Sequence, residues 1–355
     1  MRVLRWLRHK WSRSYTDFSE TLSEDYVGER APQGLRFTLI GLLSILLLLV
    51  VLGWFWSDEP DQFDVWQMTG TKQPERPVVG TATTATLIHI VDIILDKPGG
   101  YLANDLTPPG LWLDNLPSWE FGVLVQVRDM SKAMRESFSR SQSQSTEDAD
   151  LALAEPRFNV DHHSWAVPWP ESEYADGRNY LQSYLTRLGD EQSYDAQFYA
   201  RADNLRYWLG TVETRLGSLS QRLSASVGQR RINTDLVGSM SATQSTSTPD
   251  ERLIKTDWLQ IDNVFYEARG TSWALIHLLH AIEIDFAEVL ANKNALASVR
   301  QISRELEMTQ QPVQAPMIFN GEGFGVLANH SLVMASYISR ANAAIIDLRE
   351  LLSKG

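Results

Sequence analysis

Hydrophobic positions recur with a helical period along three long segments of the chain. From Phe198 to Leu223 the apolar residues are spaced alternately by four and three, and the same spacing runs from Ile261 to Val289 and from Leu327 to Leu352. This period of 3.5 residues is typical of long helices that pack side by side at shallow crossing angles. The sequence therefore predicts an all-α fold, a bundle built on long heptad-patterned helices.

The middle segment, Ile261–Asn292, differs from the other two. Trp273, Ile276, Leu278 and Ile284 are apolar but lie off its seam. A helix that is apolar on every side is usually buried on several sides. We therefore expect this helix at the centre of the bundle.

Shorter segments complete the predicted architecture. Apolar spacing also predicts helices over Thr86–Leu95, Ser118–Phe138 and Glu171–Leu188. Polar segments poor in apolar residues predict loops at Ser139–Asp150, Gly238–Asp250 and Thr309–Pro316, and the Pro- and Trp-containing segment Pro156–Pro170 predicts an ordered loop packed onto the fold.

One segment is apolar without any period. Phe37–Trp56 is a run of 20 residues without a charge, which as a helix spans about 30 Å, the thickness of a bilayer core. A cleaved signal peptide would have a shorter apolar region nearer the start, followed by small residues. This run ends instead in Trp54, Phe55 and Trp56, which suit the membrane–water interface. We predict an uncleaved transmembrane helix.

Charge on the two sides of this helix predicts its orientation. Residues 1–36 hold seven Lys or Arg and five Asp or Glu, whereas Asp58, Glu59, Asp61 and Asp64 follow the helix. The positive-inside rule then places the N-terminus in the cytoplasm and the rest outside, which in a bacterium is the periplasm. The predicted organisation is a cytoplasmic basic segment (1–36), a transmembrane helix (37–56), a juxtamembrane linker (57–79) and a periplasmic helical domain (80–355).

The first 13 residues, MRVLRWLRHKWSR, fit two interpretations. Val3, Leu4, Leu7 and Trp11 recur at helical spacing among basic residues, as in an amphipathic helix lying on anionic lipid. The same residues also fit a basic topology determinant without stable structure. Both interpretations place the segment at the inner face of the membrane.

Composition narrows the function classes. The net charge of -12 argues against a nucleic-acid partner, which would require a basic domain or stripe. The chain has no cysteine, which excludes thiol nucleophiles, disulfides and Cys-ligated metals. Neither a P-loop nor a GxSxG motif occurs, and the sequence predicts no cofactor.

The most particular motif lies between Asp96 and Met130, DKPGGYLANDLTPPGLWLDNLPSWEFGVLVQVRDM. With its GGYLxND, PPG, DN and PSWE elements, this stretch resembles a bacterial family of membrane-anchored proteins, domain of unknown function 2333. The resemblance extends to the basic N-terminus, the single apolar span and the helical remainder. It implies a location in the inner membrane of Gram-negative bacteria, and it implies no activity.

Two interpretations of this motif remain open. Its polar and aromatic residues can form a loop that binds a ligand or a partner, or they can form a long ordered connector that caps the end of the bundle. The residues concerned are Tyr101, Asn104, Asp105, Trp112, Asp114, Trp119 and Glu120.

Metal-ligand types occur at two places. His277, His280 and Glu283 follow one another in steps of three, which can place them on one helix face. Their order matches no established metal motif, and the alternative is that they meet a covering segment or water. Asp161, His162 and His163 form a second candidate, although adjacent side chains in an extended chain point apart.

These observations favour a non-enzymatic function. The first hypothesis is a scaffold, adaptor or assembly factor of the cell envelope, with an envelope protein partner or self-association. The alternative is an envelope enzyme or ligand-binding domain with a pocket in the bundle, possibly metal-dependent. The sequence leaves enzymatic activity open and names no catalytic residue.

Overall fold

The structure, a computed structural model, describes residues 33–70, 78–141, 145–190, 195–232, 251–315, 317–322 and 325–354. The chain divides into two compact units, Met1–Trp54 and Phe55–Gly355. The predicted basic segment up to residue 32 and the polar loop Gly238–Asp250 lie outside the described residues.

The described residues of the first unit all belong to a single helix. Helix α1, Gln33–Trp56, contains a stretch from Arg36 to Trp56 that is long and apolar enough to cross a membrane. Phe37, Leu43 and their apolar neighbours are exposed along it. A surface this apolar fits association with a membrane and agrees with the predicted span 37–56.

The second unit is a helical bundle with one small hairpin. Its helices are α2 Val65–Met68, α3 Thr81–Asp96, α4 Asn115–Ala133, α5 Ala149–Phe158, α6 Pro170–Leu188, α7 Ala202–Ser224, α8 Ile261–Asp285, α9 Ala287–Asn292, α10 Leu296–Glu307 and α11 His330–Ser353. Short 3-10 turns occur at Gly110–Trp112, Ala225–Val227, Trp258–Gln260 and Met308–Gln310, and a π-helical turn at Met134–Phe138 follows α4. Strands β1 Gln229–Ile232 and β2 Glu251–Ile254 pair antiparallel, with Gln229 opposite Ile254. The predicted all-α bundle is confirmed.

Helix α8 lies at the centre of this unit, as its all-round apolar sequence predicts. Most of its residues are buried, and α3, α4, α10 and α11 pack against it. It crosses α4 at two glycines, where a side chain on Gly122 would collide with the backbone of Glu267, and one on Gly270 with the backbone of Trp119. The absence of side chains at both positions lets the two backbones touch.

Helices α7 and α11 pair through the seams that the sequence predicts. All the apolar seam positions of α7 from Leu205 onward are buried, and so are those of α11 from Met334 to Leu352. Ser220 bonds to Ser339, whereas Arg349, near the other end of α11, bonds to Glu213, earlier in α7. The pair is therefore antiparallel and lies within one chain.

Several boundaries differ from the predicted ones, and the end of the central helix has a physical reason. The central helix, expected to continue to Asn292, ends at Asp285, where Asp285 accepts the N–H of Thr83 at 2.7 Å and so caps α3. The next residue, Phe286, is buried against Phe138 and Phe198. The side chains of both residues thus contact elements other than α8 at the point where the chain turns. The segment Pro156–Pro170 begins as the last turn of α5 rather than as a loop.

Candidate functional site

The motif loop (residues 97–114), which carries the distinctive Gly, Pro and Trp residues, joins α3 to α4. Gly99 and Gly100 have φ values of +87° and +70°, in the left-handed region that favours glycine. A side chain on Gly99 would also press against the ring of Trp56. Both glycines are therefore needed for the chain to leave α3 and turn back toward α4.

A buried ion pair holds the loop from inside. Glu120 on α4 is fully buried, and its carboxylate forms an ion pair with Lys97. The same carboxylate accepts the N–H groups of Leu102 at 3.0 Å and of Ala103 at 2.9 Å. Burial raises the pKa of Glu120 to about 7, and the Lys97 ammonium opposes that rise. Glu120 thus orients the loop backbone rather than facing solvent.

Two aromatic residues of the motif belong to the core. Tyr101 is buried edge-on to Tyr174, with ring centroids 5.4 Å apart, and burial raises the pKa of its hydroxyl. Trp119 is buried against Trp273, with centroids 5.2 Å apart. Both side chains stabilise the fold of the motif loop, and neither presents a surface to a partner.

A second loop, residues 159–169, packs against the motif loop. The Asn104 amide donates to the carbonyl of Ser164 at 3.1 Å and to the carboxylate of Glu171. His163 Nδ1 bonds to the carbonyl of Ala103 at 2.9 Å. The two loops are thereby joined into one surface.

An open cleft of about 590 Å³ lies beside this surface. Its walls come from the motif loop, the start of α4, the second loop, the end of α7 and the start of α8. The polar residues that line it are Asp105, Asp114, Ser118, His162, His163, Arg222, Gln260, Asn263 and Glu267. Its volume lies within the range of ligand-binding pockets, roughly 300–1,000 Å³.

The charge balance inside the cleft is negative. Arg222 pairs with Glu267, with Nη1 and Oε2 2.7 Å apart, so its charge is already compensated. Burial, followed by the charge of Glu171, raises the pKa of Asp105. Burial lowers the pKa of His162 to about 4, so this imidazole is neutral at pH 7. Asp105 and Asp114 therefore set the electrostatic potential of the cleft.

Exposed apolar side chains occur on three of the segments that form the cleft walls, and we call them the apolar rim. Each lies at or within two residues of a lining residue, and each is more than half exposed. They are Leu111 and Trp112 on the motif loop, Trp165 on the second loop, and Trp258 and Leu259 before α8. Aromatic side chains beside a cavity are the usual anchors of protein interfaces.

The candidate metal ligands on α8 contact two different segments, one before α3 and one after α9. His277 accepts the N–H of Phe63 at Nε2, 3.0 Å away, and its Nδ1 donates to the carbonyl of Trp273 at 2.7 Å. His280 packs on Trp66, and Glu283 pairs with Arg300 at 3.0 Å. Across the ranges that the structure describes, no three His, Asp or Glu side chains converge as a metal site would require.

These contacts define a feature that the sequence did not reveal, a juxtamembrane strap (residues 58–68). Arg269 pairs with Glu59, the Trp273 indole donates to the carbonyl of Asp61 at 3.3 Å, and His277 holds Phe63. Arg269, Trp273 and His277 are four residues apart, and so share one face of α8. The first part of the predicted linker 57–79 is therefore packed on the bundle.

The motif loop has an inner and an outer face, which the sequence did not distinguish. Of the seven predicted residues, Tyr101, Trp119 and Glu120 are buried, and Asn104 joins the two loops. Asp105 and Asp114 line the cleft, and Trp112 belongs to its rim. The pair Arg222–Glu267 joins α7 to α8 and leaves no local sequence signal.

The comparisons with known proteins return one match. The model of a family described as an uncharacterized protein conserved in bacteria, DUF2333, matches residues 30–355. Neither the curated proteins nor the solved structures contain a match to this chain. The matched range covers the candidate membrane helix, the strap and every wall of the cleft.

Proposed function

This chain belongs to the DUF2333 family of conserved bacterial proteins, and from that premise we propose that it is an adaptor or assembly scaffold of the bacterial cell envelope. A single transmembrane helix anchors it in the inner membrane. The helical bundle lies in the periplasm and binds a protein partner at the cleft. The observation that carries this proposal is the apolar rim beside the cleft.

An exposed rim of this kind is costly unless something covers it. Trp165 is 60% exposed, Trp258 72% and Leu259 78%. Large exposed apolar patches on folded proteins mark interaction surfaces, and Trp is enriched among residues that dominate binding energy. The rim and the polar cleft beside it therefore have the composition of a protein-binding surface.

The orientation of the chain, which we infer from the basic residues before the span and the acidic residues after it, can be tested directly. Alkaline phosphatase, which is active only outside the cytoplasm, would be fused after Gly355 and expressed in a bacterial host. We expect an active fusion. A well-expressed but inactive fusion would overturn the periplasmic placement.

Partner binding is tested by photocrosslinking in native membranes. A photoreactive amino acid would replace Leu111 on the rim and, as a matched control, Val333, which is 57% exposed on α11. The products would be identified by mass spectrometry. We expect a recurrent partner at position 111 and background capture at position 333. Equal capture at both positions would overturn the adaptor function.

A second candidate function is an envelope enzyme or ligand-binding domain, and one observation favours it. His163, Asp105 and Ser118 line the same cleft, whose volume fits a small molecule. The test is mass spectrometry and metal analysis of the full-length protein extracted from its own membrane. A stoichiometric small molecule or metal that is lost on replacing His163 would favour this candidate over the adaptor.

A further inference from the structure

The cleft has carboxylates without an ion-pair partner on a loop that also carries exposed apolar side chains. Asp105 and Asp114 line it, and within the described part of the chain neither carboxylate forms an ion pair with a Lys or Arg. The nearby cations are already engaged, since Arg222 pairs with Glu267 and Lys97 with Glu120. The cleft therefore attracts positive charge.

The fold makes room for one of these carboxylates. Gly110 is buried opposite Asp105, and a side chain at position 110 would collide with the Asp105 carboxyl group. Asp105 is itself partly buried, and burial raises its pKa. A carboxylate held this way has lost part of its hydration, so an incoming cation recovers more free energy there than at an exposed acid.

A third acid, Asp262, adds to the negative charge near the cleft. Asp262 lies next to the lining residue Asn263, and its pKa is raised first by burial and then by the charge of Asp114. Like charges repel, and a positively charged group near both relieves the repulsion. The acids of the cleft thus share a preference for a positively charged partner.

The apolar rim adds a second requirement. Trp112 is 51% exposed on the same loop as Asp105 and Asp114. An indole face binds the flat guanidinium of Arg by cation–π contact and also packs on aliphatic side chains. A free metal ion or a small hydrophilic amine would leave this rim in water.

Resting on the adaptor function proposed above, we infer that the cleft receives a segment of a partner protein in which a Lys or Arg is flanked by apolar side chains. The basic side chain approaches Asp105 and Asp114, and the apolar side chains cover Leu111 and Trp112. Charge complementarity selects the partner, and the rim supplies the apolar contact area.

The test uses full-length protein in its native membranes, with the photoreactive residue at position 111. Crosslinking is compared between the parent, the double variant Asp105→Asn with Asp114→Asn, and a control double variant, Asp203→Asn with Glu350→Gln. The control removes the same charge from two exposed acids outside the cleft. Thermal unfolding of each variant verifies that it is folded.

We expect the captured peptide to carry Lys or Arg next to apolar residues. Its yield should fall about tenfold in the cleft variant, as expected for the loss of a close charge pair, and should stay within twofold of the parent in the control. An unchanged yield in the cleft variant, a captured segment without a basic residue, or capture of a second copy of this chain would overturn the inference.

Two outcomes separate this inference from the function on which it rests. If the crosslinking yield at position 111 is high and is the same in the Asp variant, the inferred charge preference is wrong and the adaptor function stands. Capture no stronger than at position 333 removes both.

A defined probe completes the test independently of any cellular partner. Two immobilised peptides would share Leu and Trp positions, one with two Arg and the other with Gln in their place. The detergent-solubilised protein should bind the Arg peptide at least about tenfold more tightly, and salt should weaken that binding. Equal binding of the two peptides would contradict the inference.

Discussion

The guanidinium of Arg269 holds the carboxylate of Glu59 through three hydrogen bonds of 2.7 to 2.9 Å. Glu59 lies three residues beyond the end of the apolar helix, whereas Arg269 belongs to the central helix of the bundle. Arg269 also donates to the carbonyls of Thr309 and Gln311, both at 2.9 Å. One buried cation thus joins the strap, α8 and the segment after α10.

Removing one partner of this pair should destabilise the bundle. Glu59→Gln leaves a buried guanidinium without its counter-ion, and breaking a buried pair costs about 3–5 kcal/mol. The side chains of Arg269 and Glu59 are only 9% and 17% exposed, so solvent screening is limited. We expect a clear loss of unfolding free energy in chemical denaturation of the full-length protein in detergent.

The matched control for Glu59→Gln is Glu305→Gln. Glu305 pairs with Arg340, whose side chain is half exposed, so solvent screens this pair more strongly and its loss should destabilise the protein much less. If the two variants lost the same free energy, the strap would not be an integral part of the bundle.

The strap should also loosen on acidification through His277. Burial lowers the pKa of His277 to about 3, and its contacts with Phe63 and Trp273 require the neutral ring protonated at Nδ1. Between pH 6.5, which is its ordinary pKa, and about pH 3, the imidazole of His277 is protonated in the unfolded chain and neutral in the folded chain. His277 therefore costs stability as the pH falls, by up to about 1.4 kcal/mol per pH unit.

The measurement is unfolding free energy against pH for the parent and for His277→Gln. His162 shifts in the same direction, whereas Glu120, whose pKa is raised, opposes both between pH 4.5 and about 7. The difference between parent and variant isolates His277. We expect the difference in unfolding free energy between the parent and His277→Gln to shrink below pH 6.5. If the two curves of unfolding free energy against pH ran parallel, His277 would not titrate in this way.

Because α4 and α8 cross closely at Gly122, replacing glycine with alanine should destabilise the protein there, whereas the same replacement at Gly217 on α7 should stabilise it. Gly122→Ala places a methyl group against the backbone of Glu267, so the helices must separate, which costs about 1–3 kcal/mol. Gly217→Ala, on α7, meets its nearest atom, Asn342 Nδ2, at an ordinary 3.6 Å and should stabilise by about 0.5–1 kcal/mol. Thermal melting of the two variants decides the matter, and a stabilised Gly122→Ala would refute the close crossing.

The heptad pattern could predict which residues of α7 and α11 are buried, because a period of 3.5 keeps one stripe on the partner helix. It could not predict that α8 ends at Asp285. Asp285 caps the N-terminus of α3, about 200 positions earlier in the chain, and this contact has no local sequence signal. Glu59 and Arg269 illustrate the same limit, since neither has a local signal for a contact across 210 positions.

For the candidate site too, the sequence predicted some features, whereas others depend on the folded structure. The sequence predicted that the polar and aromatic residues of the motif form a loop or an ordered connector, because glycine and proline break helices. Whether Glu120 faces inward or outward depends on Lys97 and on the N–H groups of Leu102 and Ala103, which only the folded loop brings together. His162 and His163 were candidates by type alone, and their place beside Asp105 is a tertiary result.

Gly110→Ala should impair the cleft while leaving the bundle intact. The new methyl group occupies the space of the Asp105 carboxyl group, which must rotate away from its position in the cleft wall. We expect weaker binding of the Arg peptide, close to that of Asp105→Asn, with a small change in melting temperature. In the double variant Gly110→Ala with Asp105→Asn, the two losses of binding free energy should not add, because both substitutions act on the Asp105 carboxylate. Additive losses would show that Gly110 acts elsewhere.

The buried pair Lys97–Glu120 should link the stability of the motif loop to the shape of the cleft. Glu120→Gln leaves the Lys97 ammonium buried without a counter-ion and weakens the hold on the N–H groups of Leu102 and Ala103, which line the cleft. We expect a loss of about 3–5 kcal/mol in unfolding free energy together with weaker peptide binding. Adding Lys97→Met removes the stranded charge, so the double variant should regain much of that stability. Peptide binding should stay weak in the double variant, since the carboxylate that orients the two N–H groups is still missing. If binding returned together with stability, Glu120 would serve the cleft only by keeping the protein folded.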